Sequence, residues 1–231
     1  MVLSDFSGGK NMKKCLTLCL CLTALLCLIF LTTPKAEAAT YGDLTYKISN
    51  GEVTITDCNT SATGELVIPS TIDGYPVTTI RGCAFFYCHK LTSITIPDSV
   101  TNIGSHAFYD CTSLTGIWVD ENNPIYCSDS YGVLYVKNRK VLIAAPGAIQ
   151  SCVIPDSVTT IGDSAFFWCT SLTSVTIPDS VTTIGDRAFY GCTSLSSVTI
   201  PNSVVTIYAE AFAWCESLKT ITIPDSYLSG V

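Results

Sequence analysis

Apolar and hydroxyl-bearing residues alternate along short runs of this chain, and each run ends at a proline. Leu172, Val175 and Ile177 bracket Ser174 and Thr176. That alternation predicts a strand with one apolar face and one hydroxyl face. Pro178 ends the strand by removing a backbone donor. Val181 and Ile184 supply a second inward pair, and Gly185 permits a turn that side-chained residues resist. Ala188, Phe189 and Cys192 then fall at i, i+1 and i+4, the spacing of one face of a short helical turn.

The pattern recurs with a fixed step. Pro155, Pro178, Pro201 and Pro224 lie 23 residues apart, and Phe166, Phe189 and Phe212 keep the same step. So do Cys169, Cys192 and Cys215, and earlier Phe85 with Phe108 and Cys88 with Cys111. Pro97 and Pro155 are 58 apart, so one unit around residues 115–154 is 35 residues long. Pro69 and Pro97 are 28 apart, with extra residues around Asp73-Gly74-Tyr75-Pro76. A period of this length predicts a solenoid. Each unit aims about eight apolar side chains at one axis. Burying a large one stabilises by roughly 1.5–3 kcal/mol. Ordering each residue costs about 1.5 kcal/mol, so a lone unit cannot stand and stacking is the folding mechanism.

The stretch "CTSLTSVTIPDSVTTIGDRAFYGC" resembles the BspA-like class of bacterial leucine-rich repeats, with its Leu-x-x-Ile/Val-x-Ile-Pro strand and Ala-Phe-x-x-Cys turn. The resemblance covers most of residues 41–226. The long unit, "VDENNPIYCSDSYGVLYVKNRKVLIAAPGAI", is similar to a known variant of the family. In it, 132–136 and 141–145 read as two strands of an inserted hairpin joined by Lys137–Lys140. "LTYKISNGEVTIT" resembles the family's opening hairpin, which implies a cap over 39–64 ahead of the solenoid at 65–231. The implied fold is a right-handed, β-rich leucine-rich repeat solenoid of about seven coils, with short strands and short helical turns. The resemblance further implies an exported, surface-exposed, non-catalytic protein. Characterised members bind host matrix or plasma proteins, or other cells.

The first residues are a different text. Lys10, Lys13 and Lys14 precede an apolar run from Cys15 to Leu31, followed by Ala36-Glu37-Ala38. This order predicts a secretory signal peptide over 1–38, removed after Ala38, with no membrane span left behind. Met12-Lys13-Lys14 makes a compact natural start. Without residues 1–38, eight basic and seventeen acidic side chains remain, a net charge of −9. That balance disfavours nucleic acid and anionic lipid as partners. At the other end the chain stops shortly after Asp225-Ser226 with no evident cap or wall-sorting tail, which leaves a strand edge free for self-association.

No constellation of catalytic residues emerges, and neither a cofactor nor a metal is expected. Cys88, Cys111, Cys169, Cys192 and Cys215 hold one slot of the repeat and read as small buried hydrophobes with a weak donor. Among the off-ladder cysteines, Cys127 and Cys152 are the pair nearest to disulfide formation in an exported chain. Cys83 and Cys88 with His89 are too few for a zinc site. His89 and His106 read as outward surface residues with no acid partner. Asp98, Asp156, Asp179 and Asp225 each follow a Pro, where Asp favours turns.

Two surfaces remain as partner-binding candidates. One is the outward strand stripe of Thr95, Trp118, Thr176, Thr199 and Thr222, flanked by Ser93, Ser174, Ser197 and Thr220. The other is the pair between Phe and Cys in each turn, which offers Tyr87, Tyr109, Trp168, Tyr190 and Trp214. The expected function is protein binding or adhesion at the cell exterior. A targeting portion of a larger secreted protein and a self-assembling surface protein are the alternatives.

Overall fold

The computed structural model describes residues 38–223. The expected leader, all but Ala38, and the expected C-terminal edge around Asp225 lie outside the described residues. Within them the chain winds as a solenoid with two rows of parallel strands. In the first row Gly64–Val67, Leu91–Ile96 and Gly116–Val119 pair in turn. The row resumes with Ser151–Val153 beside Ser174–Thr176, and Ser197–Thr199 beside Thr220–Thr222. Cys152 faces Val175 and Val153 faces Thr176, so the ladder register equals the sequence period. In the second row Tyr75–Ile80 pairs with Asn102–Ile103, and Val141–Ala144, Thr160–Ile161, Thr183–Ile184 and Thr206–Ile207 follow one another. Their Ile161, Ile184 and Ile207 stand in line, where branched side chains suit a pleated, half-buried surface.

The third side corrects the expectation of short helical turns: the described residues contain no helix. Around Phe189, alternate amides serve different partners. The Tyr190 and Cys192 amides donate within the coil, to the Arg187 and Phe189 carbonyls, while the Phe189 and Gly191 amides donate to Ala211 and Ala213 of the next coil. A helix would consume every amide internally. Here stacked carbonyls compete for half of them, and a left-handed residue interrupts the segment twice per coil. Cys83, His106, Ser164, Arg187 and Glu210 take φ of 52–61° in one slot. Tyr87, Asp110, Trp168 and Trp214 take 51–60° in the other, and Gly191 takes 72°.

The ladder residues fill the axis. Phe85 stacks on Phe108 at 5.6 Å, Phe166 on Phe189 at 4.8 Å and Phe189 on Phe212 at 5.1 Å, all nearly parallel. The cysteines back onto the preceding coil. The Cys111, Cys192 and Cys215 thiols donate to the Phe85, Phe166 and Phe189 carbonyls at 3.0, 3.2 and 3.1 Å. A serine there would present a stronger donor but lose apolar contact, which is why a soft, weakly polar group fits the slot.

The long unit divides the core in two. Tyr126–Ser128, Leu134–Val136 and Val141–Ala144 form an antiparallel meander, and its last strand is the solenoid's own second-row strand. The two strands expected there are present; the third, Tyr126–Ser128, was not foreseen. Along the middle strand Leu134 joins the core on one side, and Val133 and Tyr135 join the core on the other. Asn123, fully buried, ties the meander down. Its amide donates to the Pro97 and Val100 carbonyls at 2.8 and 2.9 Å, and its oxygen accepts from the Ile125 and Tyr126 amides. At the other end Ala39–Tyr41, Leu44–Ser49 and Glu52–Cys58 form an antiparallel meander, and Glu52–Cys58 pairs in parallel with Tyr75–Ile80.

Candidate functional site

The strand stripe is less regular than the hydroxyl array expected. Val67 pairs with Thr95, and Thr95 with Trp118; Val153 pairs with Thr176, and Thr199 with Thr222. Val67 and Val153 are therefore members of the stripe, 66% and 73% exposed. Each stands two residues before a proline, the offset of Thr95 before Pro97, and that offset could have found them. Thr95 is half-buried, while Thr176, Thr199 and Thr222 are exposed. Trp118 is exposed, and its ring leans back along its own strand. Its indole lies on Gly116, where a β-carbon would come within 2.5 Å of the ring. Gly116 fills the slot that Ser93, Ser174 and Ser197 fill elsewhere, so the large aromatic and the missing side chain are one feature.

The turn edge is built more coherently. The first residue of each pair turns along the axis: Phe86 meets Tyr109 at 4.8 Å, Tyr109 meets Phe167 at 4.0 Å and Phe167 stacks on Tyr190 at 4.9 Å. Tyr109 and Phe167 are 58 residues apart in sequence, because the long unit puts Ala145, Pro146, Gly147 and Ala148 where the others place aromatics. Row packing makes Tyr109 and Tyr190 half-buried rather than freely presented. Burial pushes the Tyr109 hydroxyl above its usual range, against a hydrogen bond from Trp168.

The second residue of each pair takes the left-handed conformation, which swings it outward. Tyr87 is 45% exposed and Trp214 63%. Trp168 is half-buried, folded across Gly191 of the following coil. Asp110 takes the same slot in the second coil and faces His89 at 4.0 Å. His89 also lies 3.2 Å from the Thr112 hydroxyl. The expectation that neither histidine has an acid neighbour is thus corrected: Asp110 is one coil on, a proximity created by stacking. The His89 side chain is 48% exposed, so water screens this contact and holds no base in a fixed tautomer. His106 is half-buried beside Tyr109 and Phe167, not free in solvent.

Among the described residues no three His, Cys, Asp or Glu side chains converge as metal ligands. All nine described cysteines are free, with Cys83 exposed. Burial raises the Cys111 and Cys169 thiols, and burial together with Asp129 raises Cys152 to about 12. Cys127 sits against the Val136 and Lys137 carbonyls. A cleft of about 200 Å³ opens where Asn102–Ile103 and Val141–Ala144 part, lined by Ser105, His106, Phe108, Ile143 and Asp163 among others.

These features define a leucine-rich repeat solenoid whose side chains make long surfaces rather than an enclosed site. The chain matches the family described as BspA type Leucine rich repeat region in six copies, over residues 58–131 and 145–229, and it belongs to that family. It is similar to a leucine-rich repeat protein from Eubacterium ventriosum at 22% identity and a TM-score of 0.58, over 80% of this chain and 71% of that one. It is also similar to a leucine rich cell surface protein from Faecalibacterium prausnitzii at 31% identity and a TM-score of 0.49. That match covers 82% of this chain and 55% of the Faecalibacterium protein. No curated protein matches the chain. No helix among the described residues is long and apolar enough to cross a membrane.

Proposed function

We propose that this chain is an exported, non-catalytic adhesion module that holds a protein partner along its aromatic turn edge. The observation that carries the reading is the continuous row Phe86–Tyr109–Phe167–Tyr190 with Tyr87 and Trp214 projecting from it. The row itself is half-buried to buried, and the exposed Tyr87 and Trp214 that it braces are the residue types that most often anchor protein contacts. A row braced by its own stacking loses little freedom on binding, which favours affinity. The strand stripe offers threonines, the exposed Val67 and Val153, and one tryptophan leaning on Gly116, so it gives a partner fewer aromatic anchors. Export is supported by the leader-like pattern of residues 10–38, and the N-terminal meander serves as a cap on the first coil. Family membership favours binding over catalysis.

The test is a solid-phase panel of immobilised matrix and plasma proteins, probed with the purified chain over a concentration series. Saturable binding to at least one of them is expected. Signal no different from an albumin-coated surface across the panel contradicts the reading.

A further inference from the structure

The stack of ladder rings is interrupted in the middle of the solenoid. Phe85 packs on Phe108, and Phe166, Phe189 and Phe212 pack on one another, but among the described residues no ring stacks on the far face of Phe108. Phe85, Phe166 and Phe189 are fully buried, whereas Phe108 is half-buried. The second strand row breaks at the same level. Ile80, Ile161 and Ile184 are fully buried, and Ile103 is half-buried. Phe108 and Ile103 line the cleft of about 200 Å³, together with Val141, Ile143, Ala144 and Ala145.

The backbone ladder is interrupted there too. At later junctions the Ser164 and Phe166 amides donate to the Asp186 and Ala188 carbonyls, and the Arg187 and Phe189 amides donate to Ala209 and Ala211. His106 and Phe108 hold these slots in the second coil, and their turn is the same. The Tyr109 and Cys111 amides donate to the His106 and Phe108 carbonyls, as the Phe167 and Cys169 amides do to Ser164 and Phe166. Among the described residues, however, neither the His106 nor the Phe108 amide finds an acceptor. The Tyr126 hydroxyl serves the Ile103 amide at 3.1 Å but no amide beyond it. A backbone N–H is an obligatory donor, so two of them left open beside an apolar wall make half of a contact.

We propose that this cleft is a binding pocket for one aromatic side chain on a peptide segment of a partner protein. The repeat itself defines the fit. Asp186 accepts from Ser164, Ala188 accepts from Phe166, and Phe189, the residue after Ala188, lays its ring on Phe166. A peptide in the same register on the second coil lays its ring on Phe108. Its carbonyls one and three residues before that ring accept from the Phe108 and His106 amides. An apolar cavity of about 150 Å³ holds benzene, so the cleft has room for a phenyl ring. Stacking on Phe108 favours an aromatic over an aliphatic side chain. Ser105 and Asp163 are exposed at the rim, so the rest of the peptide stays in water. The pocket is separate from the turn edge, and it stands whether or not that edge binds a partner.

The experiment is a nuclear magnetic resonance titration of the purified chain, isotope-labelled at its histidine and phenylalanine amides. The probe is acetyl-Ala-Lys-Ala-Phe-Ala-amide. The His106 and Phe108 amide signals should move saturably at roughly millimolar peptide, while the Phe189 signal stays in place. The same peptide with alanine in place of phenylalanine should bind at least about tenfold more weakly. Ala144→Leu narrows the cleft and should weaken binding of the phenylalanine peptide by about the same factor. An unmoved Phe189 signal in that variant shows that the solenoid is intact. Still His106 and Phe108 signals up to the solubility limit of the peptide overturn the proposal. So does equal binding of the two peptides by the wild type, or undiminished binding by Ala144→Leu.

Discussion

The indole of Trp168 lies across the α-carbon of Gly191, one coil further along, so closely that a β-carbon there would come within 2.8 Å of the ring. Both residues occupy the same slot of the repeat and both are left-handed, at φ 51° and 72°. A large side chain in one coil is thus accommodated by the lack of one in the next.

Gly191→Ala should therefore destabilise the protein by about 2 kcal/mol, from left-handed strain together with overpacking. It should also displace Trp168 into water. In a Trp118→Phe, Trp214→Phe background the remaining tryptophan emission should shift to the red. An unchanged emission maximum would mean the ring does not rest on Gly191.

Ser164 combines two liabilities. It is left-handed at φ 56°, and its buried hydroxyl has no hydrogen-bond partner. Ser164→Gly relieves both, offset by the greater freedom of glycine in the unfolded chain. The net gain should be about 1 kcal/mol, read as a higher urea midpoint at constant m-value.

Asp110 sets a pH dependence. Burial raises its carboxyl pKa, against a smaller lowering by His89. A raised folded-state pKa means the folded protein holds the proton more tightly than the unfolded chain. The penalty is absent below the ordinary carboxylate range, near pH 4, and grows as pH rises through the folded-state value. Asp110→Asn should raise the melting temperature at pH 7, and the gain should shrink as the pH falls toward 4 and vanish below the ordinary carboxylate range. Asparagine tolerates the left-handed φ of 58° found there, so backbone strain does not obscure the reading.

Much of this architecture is legible in the residues because one spacing does all the work. The 23-residue step fixes the strand register, the Phe stack and the Cys slot, and the register Cys152↔Val175 reproduces it. The turns are not legible in the same way. Ala188, Phe189 and Cys192 have helical spacing, but helix formation depends on where amides find carbonyls, and the next coil supplies them. The aromatic edge is half legible: the pairs stand in the residues, but which member points out does not. The left-handed slot decides that, and φ leaves no mark on the residue type when Tyr87, Asp110 and Trp168 all adopt it. The contact Tyr109–Phe167 was hidden because a unit of unequal length lies between its two residues. His89–Asp110 was hidden because it forms between coils.

The most direct test of the aromatic edge is surface plasmon resonance on the matrix or plasma protein that the panel identifies. It compares the wild type with Tyr87→Ala/Trp214→Ala and with Thr176→Ala/Thr199→Ala. All four side chains are exposed, so both double variants should fold. The edge variant should lose at least about tenfold in affinity, as truncation of aromatic anchors does, while the stripe variant binds as the wild type. Equal binding by the edge variant, with the loss confined to the stripe variant, would contradict the account and move the interface to the strand face.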